Sequence, residues 1–315
     1  MQQQELSSKI KQLKKEKNAI ILGHYYQRAE IQDLSDYIGD SLALAQQAAQ
    51  ATADIIVFCG VHFMAETAKI LNPSRKVLIP DMQASCSLAE SCDAEELAKF
   101  KSQHPDHIVI SYINCSAAVK AQSDIICTSG NAEKIVASLP AEQKIIFAPD
   151  RNLGSVINKL TGRNMLLWDG TCYVHNDMQA SMVQQLKQLY PEAKVIAHPE
   201  CNPELLNEAD FIGSTKAMLN YVKQNTCSQY IVATESGIIH QMQKENPNKQ
   251  FITFADLRNC ACDDCKYMKL NTLEKLYNCL ETESSEIIMS PQMIESARKP
   301  IEKMLEISKK LGIIR

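Results

Sequence analysis

The 315-residue sequence, 45% hydrophobic and 22% charged, is long enough to bury two or three cores and has an ordinary globular composition. A formal net charge of −4 argues against a strongly basic nucleic-acid binder. No apolar run reaches the roughly eighteen residues a spanning helix needs, which argues against a membrane protein.

The opening stretch, Met1 to Asn18, is polar and lysine-rich. It reads as an amphipathic helix and not as a signal peptide. Twelve cysteines in a chain without such a signal read as reduced thiols of a cytoplasmic protein, not as a disulfide framework. Cys59, Cys115, Cys127, Cys201, Cys227 and Cys279 sit in or beside apolar segments and read as small core residues.

From Ile21 onward one pattern occurs three times. The strand-like runs ILGHYY (Ile21 to Tyr26), ISYINC (Ile110 to Cys115) and IAHPEC (Ile196 to Cys201) each end in polar residues. Each is followed by an aspartate and a turn: DYIGDS from Asp36, DIICTS from Asp124 and DFIGST from Asp210. His24 and Asp36 are twelve residues apart, as are Tyr112 and Asp124, and His198 and Asp210; Ser41, Ser129 and Thr215 follow five residues later. A second apolar run enters a polar loop in each copy: DIIVFCGVHF, KIIFAPDRNL and QYIVATESGI. A third run closes each unit at cysteine: VLIPDMQASC, MLLWDGTC and FITFADLRNCACDDC.

Each unit therefore reads as strand, helix, strand, helix, strand. The expected fold class is α/β, with three homologous α/β/α repeats arranged with pseudo-threefold symmetry around a central site. The repeats divide as 1–104 with the N-terminal helix, 105–192, and 193–315 with C-terminal helices. Residues 266–315 stand outside the repeat and read as closing helices packed on the outside.

In open α/β sheets ligands gather at the carboxyl ends of strands. Those ends carry His24, Tyr25 and Tyr26, then Tyr112 and Asn114, then His198 and Glu200. They supply donors, acceptors and a general acid or base to one central pocket. The pairs Asp40–Ser41, Thr128–Ser129 and Ser214–Thr215 precede helical stretches and read as N-caps. Exposed amides at helix starts also suit phosphate or carboxylate, so three of them facing one cavity fit a small polyanionic substrate. Neither GxxxxGK[ST] nor GxGxxG occurs, and nothing points to nucleotide binding.

Cys86 and Cys172 end their units, and the third unit ends in Cys260, Cys262 and Cys265. One thiolate from each unit meeting on the axis leaves a metal position open to substrate. Soft thiolates select zinc or iron–sulfur clusters, and spacing alone does not choose between them. The last run also fits a local zinc or redox site.

The motifs GHYY at Gly23, GDS at Gly39, VHFMAETAKIL at Val61, DMQASCSLA at Asp81, YIN at Tyr112, WDGTCYVH at Trp168, HPEC at His198 and ADFIGST at Ala209 occur in order, followed by the late cysteines leading into YMKLNTLEKL. Over essentially its whole length the sequence thereby resembles the quinolinate synthase family. The resemblance implies three α/β domains around a 4Fe–4S cluster whose open iron acts as Lewis acid. It implies a transferase on the route to NAD that condenses iminoaspartate with dihydroxyacetone phosphate to quinolinate, with loss of phosphate and water. Functional pairing with an L-aspartate oxidase is expected, and neither nucleic acid nor membrane is expected as a partner.

Carried over by position, the implied ligands are Cys86, Cys172 and Cys265, and Cys201 is not one. The repeat instead favours Cys260, which lies 174 residues from Cys86 as His198 does from His24. Cys260 and Cys262 thus stand as alternative or redox partners. Implied substrate contacts are His24, Tyr26, Ser41, Tyr112, Asn114, Ser129, His198, Glu200, Ser214 and Thr215. Catalytic roles are implied for Tyr26, Glu200, His198 and His175, the last also able to orient the cluster. Rival readings are another 4Fe–4S hydro-lyase, a zinc-stabilised binding protein and a thiol-redox sensor.

Overall fold

Three parallel sheets of four strands make up the fold, seen in a computed structural model that describes residues 3–258 and 263–314. Cys260 and Cys262 lie outside the described residues. The first sheet contains β1 (Ala19–His24), β2 (Tyr37–Gly39), β3 (Ile55–Cys59) and β4 (Lys76–Leu78), in the order β2-β1-β3-β4. The second repeats that order with β5 (His107–Tyr112), β6 (Ile125–Cys127), β7 (Lys144–Ala148) and β8 (Leu166–Leu167). The third does so with β9 (Lys194–Ala197), β10 (Phe211–Ile212), β11 (Gln229–Ala233) and β12 (Gln250–Ile252). All neighbouring strands are parallel, and helices connect them. The expected three-repeat α/β architecture is the one observed.

Each sheet has one strand more than the sequence pattern suggests. β2, β6 and β10 occupy segments that read as turns, because two or three residues are too few to show a period of two. What anchors them is the repeated aspartate. Asp36, Asp124 and Asp210 accept from the amides of Ile21, Val109 and Val195 at 2.7, 2.8 and 2.8 Å. Their own amides return bonds to the carbonyls of those same residues at 2.9, 2.8 and 2.8 Å. This two-way bridge pins the short strand beside the long one in each unit. It holds the spacing from strand end to aspartate constant.

The central strands are buried on both faces, as continuous runs of Ile, Val and Phe require in parallel sheets. Ile56 and Val57 of β3, for example, are fully enclosed, and each such side chain contributes roughly 1.5–3 kcal/mol. The N-terminal helix Gln3–Glu16 is amphipathic as expected. It seats Leu6 and Ile10 in a core with Ile21 and with Leu276 and Leu280 of the helix Leu273–Thr282. The last helix, Pro291–Lys310, buries Ile301 and Met304 in the core that also holds Ile110 and Ile125 of the second sheet. Cys59, Cys115, Cys127, Cys201 and Cys279 are buried as read, whereas Cys227 is only partly buried. Among the described residues no helix is long and apolar enough to cross a membrane.

The helix starts depart in part from expectation. Asp40 caps Ser41–Gln50 by accepting from the Ala43 amide at 3.0 Å, and Ser214 caps Thr215–Gln224 by accepting from the Ala217 amide at 3.3 Å. The middle pair does not sit at the helix start, and the Thr128 hydroxyl accepts instead from the Gly130 amide of the preceding turn at 3.3 Å. The helix there starts later, at Ala132, because Asn131 folds back to accept from the Thr128 amide at 2.6 Å and closes a turn around Ser129.

Candidate active site

Strands β1 and β5 end at His24 and Tyr112, and β9 ends one residue before His198. These three ends open on one cavity. Its wall takes His24, Tyr26 and Ser41 from the first unit, Tyr112, Asn114, Ser129 and His175 from the second, and His198, Glu200 and Thr215 from the third. Cys86, Cys172 and Cys265 border the same cavity. Two expected residues stand apart from its lining. The Ser214 hydroxyl is occupied as a helix cap, and Tyr25 packs into the third-unit core beside Met218 and Val232.

Glu200 is the hub of the polar network. Tyr112 donates its phenol proton to Oε1 at 2.6 Å, and Nδ1 of His175 lies 3.1 Å from Oε2. Nδ1 of His198 is 3.7 Å from Oε1, and its Nε2 is 3.3 Å from the Ser129 hydroxyl. The rings of His175 and His198 stack with centroids 4.8 Å apart. Beyond His175, its Nε2 meets the Thr234 hydroxyl at 2.9 Å, and that hydroxyl meets the Tyr26 phenol at 2.7 Å. A continuous hydrogen-bonded chain thus runs from the partly buried Tyr26 through the buried Thr234 and His175 to Glu200 and Tyr112.

Burial sets most of the ionisation states. It drives His24 and His198 down to about 3, so both imidazoles are neutral near pH 7. It pushes the phenols of Tyr26 and Tyr112 well above their usual range, which makes them donors and not phenolates. On Glu200 burial opposes the charge, but His175, His198 and the Tyr112 hydroxyl together hold the carboxyl at about 2. His175 is the nearer imidazole and the stronger of the two influences. The Asn114 side-chain oxygen is buried in this wall with no hydrogen-bond partner, which marks it as available to a ligand.

The thiols form the other half of the site. Burial raises Cys86 to about 12, and pushes Cys172 well above the usual thiol range and Cys265 up as well. Working the other way, the amides of Ala89 and Leu88 favour the Cys86 thiolate, and those of Met268 and Tyr267 favour that of Cys265. Ligand atoms of Cys172, His175 and Glu200 also lie within 4.8 Å of one another, a grouping able to hold a metal ion. Cys201 faces away, its sulfur 3.4 Å from the Ala233 carbonyl.

Thr234 and Glu235 escape the sequence reading, although they directly follow β11. The strand-end rule finds them once it is applied to the second long strand of each unit and not only to the first. Glu235 lies in the cavity wall, and burial raises its carboxyl to about 7 against the pull of Lys269.

Fold and site define a class: a three-sheet α/β protein whose strand ends enclose a small-molecule site with a candidate metal centre. The family described as quinolinate synthetase A protein matches residues 8–306. A quinolinate synthase of Microcystis aeruginosa is 59% identical over 304 residues, covering 96% of this chain and 95% of that protein. One from Synechocystis sp. is 58% identical, covering 96% of each chain, and one from Trichodesmium erythraeum is 57% identical, covering 96% of this chain and 94% of its own. The chain belongs to the quinolinate synthase family.

Proposed function

We propose that this protein condenses iminoaspartate with dihydroxyacetone phosphate to quinolinate, with loss of phosphate and water, as a transferase on the route to NAD. Cys86, Cys172 and Cys265 hold a 4Fe–4S cluster in this reading. What supports it is that these three cysteines, one from each repeat, border the same cavity as the Glu200 network. The donor set fits the group: three soft thiols suit an iron–sulfur cluster, and a bound cation relieves the penalty that burial puts on their ionisation. When bound, a cluster with one iron free of protein ligands supplies a Lewis acid for carboxylate, nitrogen or hydroxyl groups.

The chain's own residues bind and move protons. Both reactants are anionic, and the ten-residue helices Ser41–Gln50 and Thr215–Gln224 bring their starts to this site. Amides there, with the hydroxyls of Ser41, Ser129 and Thr215 and the Asn114 side chain, hold phosphate and carboxylates. Ser214 supports this group as the cap of its helix. Glu200, ionised at neutral pH, takes up a proton during carbon–carbon bond formation and ring closure. Tyr26 donates one to departing oxygen, His175 links the two through Thr234, and the neutral imidazoles of His24 and His198 orient the reactants. His24, His175, His198 and Glu200 are buried, which limits the water that reaches the reacting atoms.

The cytoplasm, where thiols stay reduced, is the proposed setting. An L-aspartate oxidase is the proposed source of the imine. The repeats are proposed to divide at 104/105 and 192/193, just ahead of β5 and β9. Protein purified without oxygen should be brown and carry about four irons per chain. Cys86→Ser and Cys172→Ser should lose both the colour and quinolinate formation, and activity retained in either overturns the ligand assignment. A colourless zinc protein overturns the cluster, and turnover without phosphate release overturns the substrate pair.

A further inference from the structure

We propose that Glu235 is a positioning residue which, with Lys269, latches the segment carrying Cys265 onto Tyr26, a role that rests on the ligand reading above. Glu235 is fully buried, yet the repeat assigns it nothing. Its Oε1 accepts from the Cys265 amide at 3.1 Å and faces the Lys269 ammonium at 2.7 Å, while Oε2 accepts from the Gly237 amide at 2.8 Å. Lys269 then donates to the Tyr26 carbonyl at 2.9 Å, and its amide donates to the Cys265 carbonyl at 3.1 Å. One carboxylate therefore holds the backbone of the proposed third ligand and, through one ammonium, the backbone of the proposed proton donor in another repeat.

Neighbours on the same short segment close the grip. Thr234 holds the Tyr26 phenol at 2.7 Å. Gly237 lies against the Tyr26 main chain so closely that a Cβ there would sit 2.7–2.8 Å from its backbone atoms. Segment 234–237 thus fixes Tyr26 at ring and backbone and ties the Cys265 turn to the same point. A buried carboxylate is costly unless every lone pair is answered, and here two amides and an ammonium answer it. Removing Lys269 leaves the Glu235 carboxylate buried without its cation, and removing the Glu235 charge leaves Lys269, which is only partly buried, with Asp264 at 3.9 Å; either change loosens the tie between the ligand turn and Tyr26. Partners that orient metal ligands in this way typically change metal retention by 10–100-fold when altered.

The test uses the iron-loaded full-length protein and a ferrous chelator under anaerobic conditions. Glu235→Gln and Lys269→Met should each release iron about tenfold faster than wild type, and Lys269→Arg should return the rate to within about threefold. Turnover per bound iron should fall with release in the first two variants. Release within about twofold of wild type in both overturns the latch, as does acceleration in only one or failure of the arginine to restore it. Should Glu235→Gln not fold, the Lys269 pair of variants decides. Cys265→Ser is run alongside: full iron there overturns the third-ligand reading and the latch with it, whereas iron loss there with unchanged release from the latch variants overturns the latch alone.

Discussion

Replacing Tyr112 with phenylalanine removes one oxygen from the cavity wall and leaves the packed ring in place. That oxygen makes the shortest contact to Glu200, 2.6 Å from Oε1, and Tyr112 is only 4% exposed. A buried hydrogen bond to a charged group contributes roughly 1.5–3 kcal/mol. Glu200 stays ionised without it, so the loss falls on the alignment of the base, and kcat/KM for quinolinate formation should fall about 10- to 100-fold. Losing a donor to the charged form also raises the Glu200 carboxyl. The carboxyl stays ionised at neutral pH, where His175 remains at 3.1 Å. The deficit should therefore be the same at pH 6 and pH 8. The assay is initial-rate quinolinate formation by Tyr112→Phe and wild type matched for iron content. A kcat/KM within threefold of wild type, or a deficit that appears only at the lower pH, refutes the assignment of Tyr112 as the group that aligns the Glu200 carboxylate.

Gly237→Ala drives a methyl group to 2.7 Å from the Tyr26 carbonyl carbon, and overpacking of that kind costs about 1–3 kcal/mol. The urea midpoint should fall accordingly, and a variant as stable as wild type shows that the two segments separate freely. Asp124→Ala strips the Val109 amide of its 2.8 Å acceptor, at a cost of roughly 1–3 kcal/mol, whereas Asp124→Asn keeps an oxygen there and should lose less. Equal urea midpoints for the two variants contradict the bridge as the anchor of β6. His24 titrates at about 3 when folded against 6.5 when free, so below pH 6.5 the unfolded chain binds the extra proton and stability falls as pH drops. That loss is about 2 kcal/mol by pH 5, and His24→Asn should be spared it; identical losses in both proteins between pH 7.5 and 5 refute the buried neutral histidine.

The repeat was legible without coordinates because its cause is local. An aspartate that exchanges two hydrogen bonds with a residue fifteen positions earlier holds the intervening chain to a constant length, and the strand ends His24, Tyr112 and His198 fall in step with it. Strand ends face the cavity in any open α/β sheet, so most of its polar wall followed from spacing plus that rule. The cysteines that close each unit were likewise visible as candidates. Docking of the three units decided the rest: that Cys265 reaches the same cavity as Cys86 and Cys172, and that Thr234 meets a phenol 208 residues away. Strands of two or three residues and contacts across such separations leave no periodic trace in a sequence. Their partners are chosen by the packing of one unit against another and not by the chain on either side.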